Sequence, residues 1–269
     1  MRWYGYLAVI SLAICQYLMF KKWEPVYTFF TPIQWWNYIF LVDAIVAHRR
    51  KRSLITDHPA EFAIMLVLSN VCWMIFEAYN LLLENWYYTN LAEQRWQRML
   101  GAGIAFATIF PGIFLTADLL ESFGLFRDRK PRPRRIPSAL RTFLFFGGFA
   151  SVVFPIFLPS AYLFGMVWLG FFFLVDPLNY RLKNSSLLSD WEAGKWQRFW
   201  LLLIAGAICG FLWEFWNYWA GGKWVYTVPF TPKLKYFEMP LLGLLGFPPF
   251  ALECFALYQF TRNLLAARW

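Results

Sequence analysis

Histidine is almost missing from this chain. Two occur among 269 residues, and both, His48 and His58, fall in one basic stretch. With none inside an apolar segment, haem ligation and histidine-based metal sites are not expected. Charge is scarce too, at 15% of residues against about a quarter in a soluble domain. The four cysteines (Cys15, Cys72, Cys209 and Cys254) form no CxxC pair and no metal-type spacing. Each sits in an apolar run and reads as a small packing residue. No metal and no cofactor is therefore expected. The first apolar segment follows Met1 and Arg2 directly, lacks a small-residue cleavage site and runs into Lys21 and Lys22. It reads as an uncleaved first helix.

What the chain does have is apolar length. Hydrophobic residues make up 59%, aromatics 22%, and the mean hydropathy is +0.43. These values define an all-α, polytopic membrane protein whose neighbours are membrane lipids. Sixteen tryptophans exceed what a core needs, so part of them is expected in an interfacial belt. Eight segments have spanning length, near 3–20, 32–48, 61–84, 99–123, 141–158, 161–180, 198–220 and 240–262. The fifth and sixth are joined only by Pro159 and Ser160, which predicts a tight helical hairpin. The net charge of +9 belongs to short loops and not to a nucleic-acid motif. With both termini cytoplasmic, the inner segments carry 18 lysines and arginines and the outer loops seven. That bias places the chain in the cell (inner) membrane with both ends inside. A homo-oligomer is compatible with this composition.

The two halves read as copies of one unit. FLVD at 40–43 returns at 173–176, and ten residues after each aspartate comes Ser53-Leu-Ile-Thr-Asp57 or Ser186-Leu-Leu-Ser-Asp190. Further on, Cys72, Glu77 and Asn80 match Cys209, Glu214 and Asn217, and Trp86, Tyr88 and Thr89 match Trp224, Tyr226 and Thr227. The expected organisation is a four-helix repeat over 1–124, a basic proline-rich cytoplasmic linker over 125–140, and a second four-helix repeat over 141–269. An even number of helices per unit makes the copies parallel.

The candidate chemistry lies in the repeated acid and amide. A carboxylate in lipid costs several kcal/mol unless protonated, paired or wetted. Glu77 with Asn80, and Glu214 with Asn217, stand three residues apart on one helix face and suit general acid–base chemistry. The competing reading is a polar clamp between helices. Trp213, Trp216 and Trp219 advance by three beside Glu214 and read as a substrate wall or as core packing. Trp224 and Tyr226 extend that wall. In the last helix, Pro248 and Pro249 are expected to kink the chain, with Glu253 facing Glu214 or satisfying the kink. Asp43 and Asp176 read as partners of Arg49 and Arg181, and Asp57 and Asp190 as helix N-caps. The stretch 221–240 reads as interfacial belt or as a lid.

Gly222-Lys-Trp224-Val-Tyr226 and Met239-Pro240-Leu241 resemble the Gly-x-Trp-x-Tyr element and the following helix opening of the membrane-integral lycopene (carotenoid) cyclases. The resemblance covers about forty residues. It implies proton-initiated cyclisation of a polyene without redox chemistry. The chain departs where that family has paired carboxylates, since Leu242 and Gly243 stand there. Three functions are left open: an intramembrane enzyme acting on an apolar isoprenoid or lipid, a proton- or cation-coupled transporter or channel, and a structural or assembly subunit.

Overall fold

The computed structural model describes residues 1–128, 131–230 and 233–266. Arg129, Lys130 and Arg268, three of the basic residues weighed for topology, lie outside the described residues.

The chain is helical almost throughout. In the first half, α1 (Trp3–Phe20), α2 (Phe30–Arg50), the short α3 (Leu54–Asp57) and α4 (Pro59–Leu83) precede strand β1 (Trp86–Thr89), α5 (Arg95–Phe106) and α6 (Ile109–Ser122). In the second, α7 (Ser138–Phe157), α8 (Phe164–Arg181), the short α9 (Leu187–Glu192) and α10 (Gln197–Trp219) precede strand β2 (Lys223–Tyr226). Two-residue strands β3 (Lys235–Tyr236) and β4 (Met239–Pro240), a 3-10 turn and α11 (Phe247–Ala266) complete the described chain.

Among the described residues, seven helical segments are long and apolar enough to cross a membrane. Their outward faces are greasy in the way lipid permits and water does not. On α1, Trp3, Leu7, Ile10, Ile14 and Tyr17 form a stripe in which every member is more than half exposed. On α7, Phe143, Phe146 and Phe157 do the same. The protein is thus a multi-pass, all-α membrane protein in contact with lipid. The second expected span, α2, has 21 residues but not the hydropathy. It carries Gln34, Asn37 and Asp43, and it packs against α1 and α6, so its polar groups meet protein. Gln34 donates to the Leu12 carbonyl at 3.2 Å and Asn37 to Gln34 at 3.3 Å.

The fourth expected helix is broken at Ala107 and Thr108 into α5 and α6. Pro111 near the start of α6 has no N–H to donate and would collide with the preceding turn. Ser69 on α4 bridges the gap, donating to Phe106 O at 2.5 Å and accepting from Phe110 N at 3.2 Å. The last helix behaves differently from expectation. Pro248 and Pro249 do not kink α11 but occupy its first turn, where a missing N–H leaves nothing unsatisfied. α7 and α8 form the expected tight hairpin. Their backbones approach so closely that a Cβ at Gly148 would lie 2.3 Å from Leu174 N.

Asp43 and Asp176 pair with neither Arg49 nor Arg181. Asp43 accepts from Ser53 Oγ at 2.6 Å and Leu54 N at 2.8 Å, and Asp176 from Leu187 N at 2.8 Å and Leu188 N at 2.9 Å. Each buried carboxylate thereby ties the orphan N–H groups of a short helix to the end of a long one. The N-caps are Ser53 and Ser186, not Asp57 and Asp190. Asp57 instead pairs with Arg2 at 2.8 Å, and Asp190 with Arg198 at 3.0 Å. The described part of the linker is not free either. Ile136 N donates to Glu192 at 3.1 Å, and Gly194 adopts φ +70° with Pro131 O pressed against it.

Asp176→Ala would strand two buried N–H groups and cost about 2–4 kcal/mol. The expected result is a melting temperature lower by roughly 4–10 °C, while Arg181→Ala changes it by about 1 °C or less. An equal effect from the two variants would restore arginine pairing.

Candidate functional site

The site is built where α4 and α10 each end in a strand. At the end of α10 the chain turns through Gly221 and Gly222, packed so close that added Cβ atoms would come 2.6 Å from the Tyr27 ring and 2.8 Å from Thr28 O. Asn217 then takes the returning strand as its partner. Its Nδ2 donates to Trp224 O at 2.8 Å, and its Oδ1 accepts from Trp224 N at 2.9 Å. Asn80 repeats the arrangement in α4, donating to Trp86 O at 2.8 Å and accepting from Asn85 N at 2.8 Å and Trp86 N at 3.1 Å. Both amides are therefore spent on backbone. Neither forms a pair with the neighbouring glutamate.

The two strands pair antiparallel, with Trp86 opposite Tyr226 and Tyr88 opposite Trp224. Side chains alternate along a strand, so these four rings share one face of the ribbon. All four line a cavity of about 210 Å³. Trp35, Trp73, Trp168 and Trp213 add four more indoles to its wall, with Phe247 and Phe250 at the buried end and exposed Leu91 and Arg98 at the other. The wall is almost wholly aromatic and aliphatic. Its cations are Arg98, which donates to the Ala92 and Glu93 carbonyls, and Lys223, paired with Glu238 at 2.6 Å.

The glutamates stand one residue behind this wall. Tyr226 donates to Glu214 Oε1 at 2.9 Å and accepts from Trp224 Nε1 at 2.9 Å. Tyr88 donates to Glu77 Oε1 at 2.6 Å, where Trp73 Nε1 also donates at 2.9 Å. Glu214 is fully buried and Glu77 half-buried. Burial and then the adjacent Glu214 hold the Tyr226 phenol well above its ordinary value. Desolvation of the phenol end and then Glu77 do the same to Tyr88, whose side chain is otherwise 36% exposed. Both phenols thus keep their protons and donate hydrogen bonds to the two glutamates.

Of the sequence candidates, Trp213, Trp224 and Tyr226 line the cavity, whereas Trp216 packs behind Trp35 at a ring distance of 5.1 Å. Trp219 leaves the stripe altogether and is 40% exposed against Phe20. Glu253 is fully buried in α11 and makes no hydrogen bond with Glu214. It has no hydrogen-bond partner among the described residues and lies near the Phe171 backbone and the thiols of Cys72 and Cys254. The reading of Glu253 as the group that satisfies a kink falls with the kink. Sequence reasoning passed over Trp35 and Trp168. A signal was present, since each stands five residues before an FLVD copy.

These features define a polytopic α-helical membrane protein with an aromatic cavity backed by two carboxyl groups. No protein-family model matches the chain, and no curated protein or solved structure matches it significantly.

Asn217→Ala removes two backbone bonds and is expected to cost about 2–4 kcal/mol. Hydrogen exchange should then quicken across residues 223–226 and leave α1 and α2 unchanged. Retained protection in the strand would mean the amide is not what holds it.

Proposed function

We propose that this is an intramembrane enzyme acting on an isoprenoid or other lipid by acid–base chemistry, in the manner of a cyclase or isomerase. One observation carries the reading: the Tyr226 phenol stands in the wall of an apolar, indole-lined cavity with Glu214 hydrogen-bonded behind it. Glu214 in its protonated form is the acid, and Tyr226 relays for it, giving its own proton to a substrate carbon or oxygen as it takes the one that Glu214 releases. Across the ribbon an ionised Glu77 is the base: Tyr88 passes its proton to that carboxylate as it takes one from the product-forming cation, and proton exchange with solvent then restores Glu214 and Glu77. One proton enters and one leaves, so no oxidant or reductant is needed. Indole faces around the cavity stabilise the cation between those steps. Glu214 and Glu77 act through the tyrosines, the first supplying a proton and the second accepting one, while Asn217 and Asn80 hold the strands that carry them.

The resemblance to lycopene cyclases agrees with this scheme in its Trp224 and Tyr226 positions, both of which line the cavity. A duplicated origin is part of the same proposal. The reciprocal strand register, the matched Asn80 and Asn217 bonds and the matched Asp43 and Asp176 bonds support reading 1–124 and 141–269 as two copies of one unit. With α2 as an eighth crossing, both termini lie in the cytoplasm. A proton- or cation-coupled carrier would need a wet path to the glutamates, and the composition of the cavity wall favours a lipid ligand over such a path. A purely structural role for the glutamates would leave no reason for their phenol partners to border an open space.

Two measurements check these statements. Lipid extracts from cells making the wild-type protein should contain an isoprenoid or lipid species whose amount falls at least about 100-fold with Glu214→Gln or Tyr226→Phe. Both variants should still purify as folded protein. Undiminished product in Glu214→Gln would remove the mechanism. Green fluorescent protein fused after residue 136 or at the C-terminus should fluoresce, and fused after residue 230 should not. The reverse pattern would invert the topology.

A further inference from the structure

A second cavity, of about 460 Å³, shares no lining residue with the aromatic one. Its volume lies in the usual range of small-molecule sites. It opens where α10 begins and where α6 and α11 approach their ends. That end of the bundle also carries the Arg2–Asp57 and Arg262–Glu61 pairs, so it is the end with the N-terminus. α6 and α11 both pack on α10, and the cleft runs between them. From Glu121 at the rim to Phe114 inside, helical rise gives a depth of about 10 Å. Phe114 and Tyr258 meet there at a ring distance of 5.2 Å. Leu201, Leu202 and Phe255, all buried, make the floor apolar. Tyr258 adds only its ring, since its hydroxyl donates to Glu61.

The rim is charged, and its charges are unevenly spent. Glu121 pairs with Arg50 at 2.8 Å, and Asp118 lies 3.7 Å from the same guanidinium. Asp190 pairs with Arg198 at 3.0 Å. Arg198 uses only Nη1 for that contact and for its bond to Ser185 Oγ at 2.7 Å. Its guanidinium carbon sits 5.1 Å from the centre of the Phe255 ring, which places it over the floor of the cleft. Arg127 and Lys195 complete the rim. Neither side chain forms an ion pair or hydrogen bond among the described residues. Four cations, counting Arg50, thus stand with three carboxylates, and the surplus is one positive charge.

We propose that this cleft binds the phosphodiester headgroup of an anionic phospholipid from the leaflet on that side of the membrane. The phosphate takes its hydrogen bonds from Arg127, Lys195 and the unused edge of Arg198. One negative charge balances the surplus, whereas a zwitterionic headgroup would bring a further cation to carboxylates already paired. The apolar floor receives the first carbons beside the phosphate, and a free phosphate ion would leave that floor empty. The site is independent of the aromatic cavity and of the reaction proposed there.

Native mass spectrometry on the purified full chain, with dioleoyl phosphatidylglycerol and dioleoyl phosphatidylcholine in competition, tests this. The expected result is a phosphatidylglycerol preference of at least about tenfold, reduced about five- to tenfold in each of Arg127→Gln and Lys195→Gln. Lys51→Gln and Arg181→Gln remove the same charge from the same end of the bundle, outside the cleft, and should change the preference less than about twofold. All four side chains are exposed, so the variants should purify as folded protein. Glycerol 3-phosphate, which has the phosphate without the chains, should not displace the lipid at about a tenfold excess. An equal loss in the two pairs of variants means diffuse attraction and overturns the site, as does a preference that survives all four substitutions. The absence of any preference, or displacement by glycerol 3-phosphate, overturns the anionic lipid as the occupant.

Discussion

Two asparagine side chains hold together everything of interest in this molecule. A helix that ends in an apolar setting exposes carbonyls and amides that need partners, and a strand that follows it brings more. Asn80 and Asn217 answer both needs by behaving as a piece of strand, giving one donor and one acceptor to Trp86 and Trp224. With its inner end fixed in this way, each strand can pair with the other. Without the amides, four aromatic residues would hang from two short strands with only each other to hold them, and a two-stranded ribbon is marginal by itself.

The register of that ribbon then decides which side chains meet. Trp86 faces Tyr226, and Tyr88 faces Trp224, so each tyrosine comes back over the helix that bears its own glutamate. The phenol reaches its acid over 11 or 12 residues of chain, and the indole of the same strand braces either the acid or the phenol. A slip by one residue would turn all four rings to the other face. The close packing around Gly221 and Gly222 opposes such a slip, because no side chain fits beside Tyr27 and Thr28.

Much of this was legible in the sequence, and the illegible part has a physical pattern. The recurrence of FLVD, of the glutamate and asparagine, and of the Trp-x-Tyr element pointed to residues that the structure places around the ribbon and the cavity. Helical spacing then suggested that Glu214 and Asn217 act together, since i and i+3 share a face. Spacing says nothing of what lies above that face, and a returning strand took the amide. Asp43 and Asp176 show the same limit. Basic residues are near in sequence, yet the start of the next short helix offers backbone donors that are nearer in space. Pro248 and Pro249 read as a kink only if at least a full α-helical turn precedes them, and α11 begins at Phe247, which leaves both in its first turn. Trp35 and Trp168 were hidden because a tryptophan in an apolar helix looks the same whether it packs a core or borders a cavity.

An open space lined by large rings must be kept open, because collapse would recover dispersion contacts that an empty wall forfeits. Each ring here is fixed from behind. Trp35 is wedged against Gly112, where a Cβ would come within 2.9 Å, and against Trp216 and Tyr38. Trp73 and Trp86 are anchored through Glu77, and Trp224 through Tyr226. Phe247 lies on Gly210 of α10, close enough that only a glycine fits. Closing the cavity would require breaking a hydrogen bond or moving a backbone at each of these points. The carboxyl groups and glycines that a purely apolar bundle would not need are thus the parts that prevent it from packing shut.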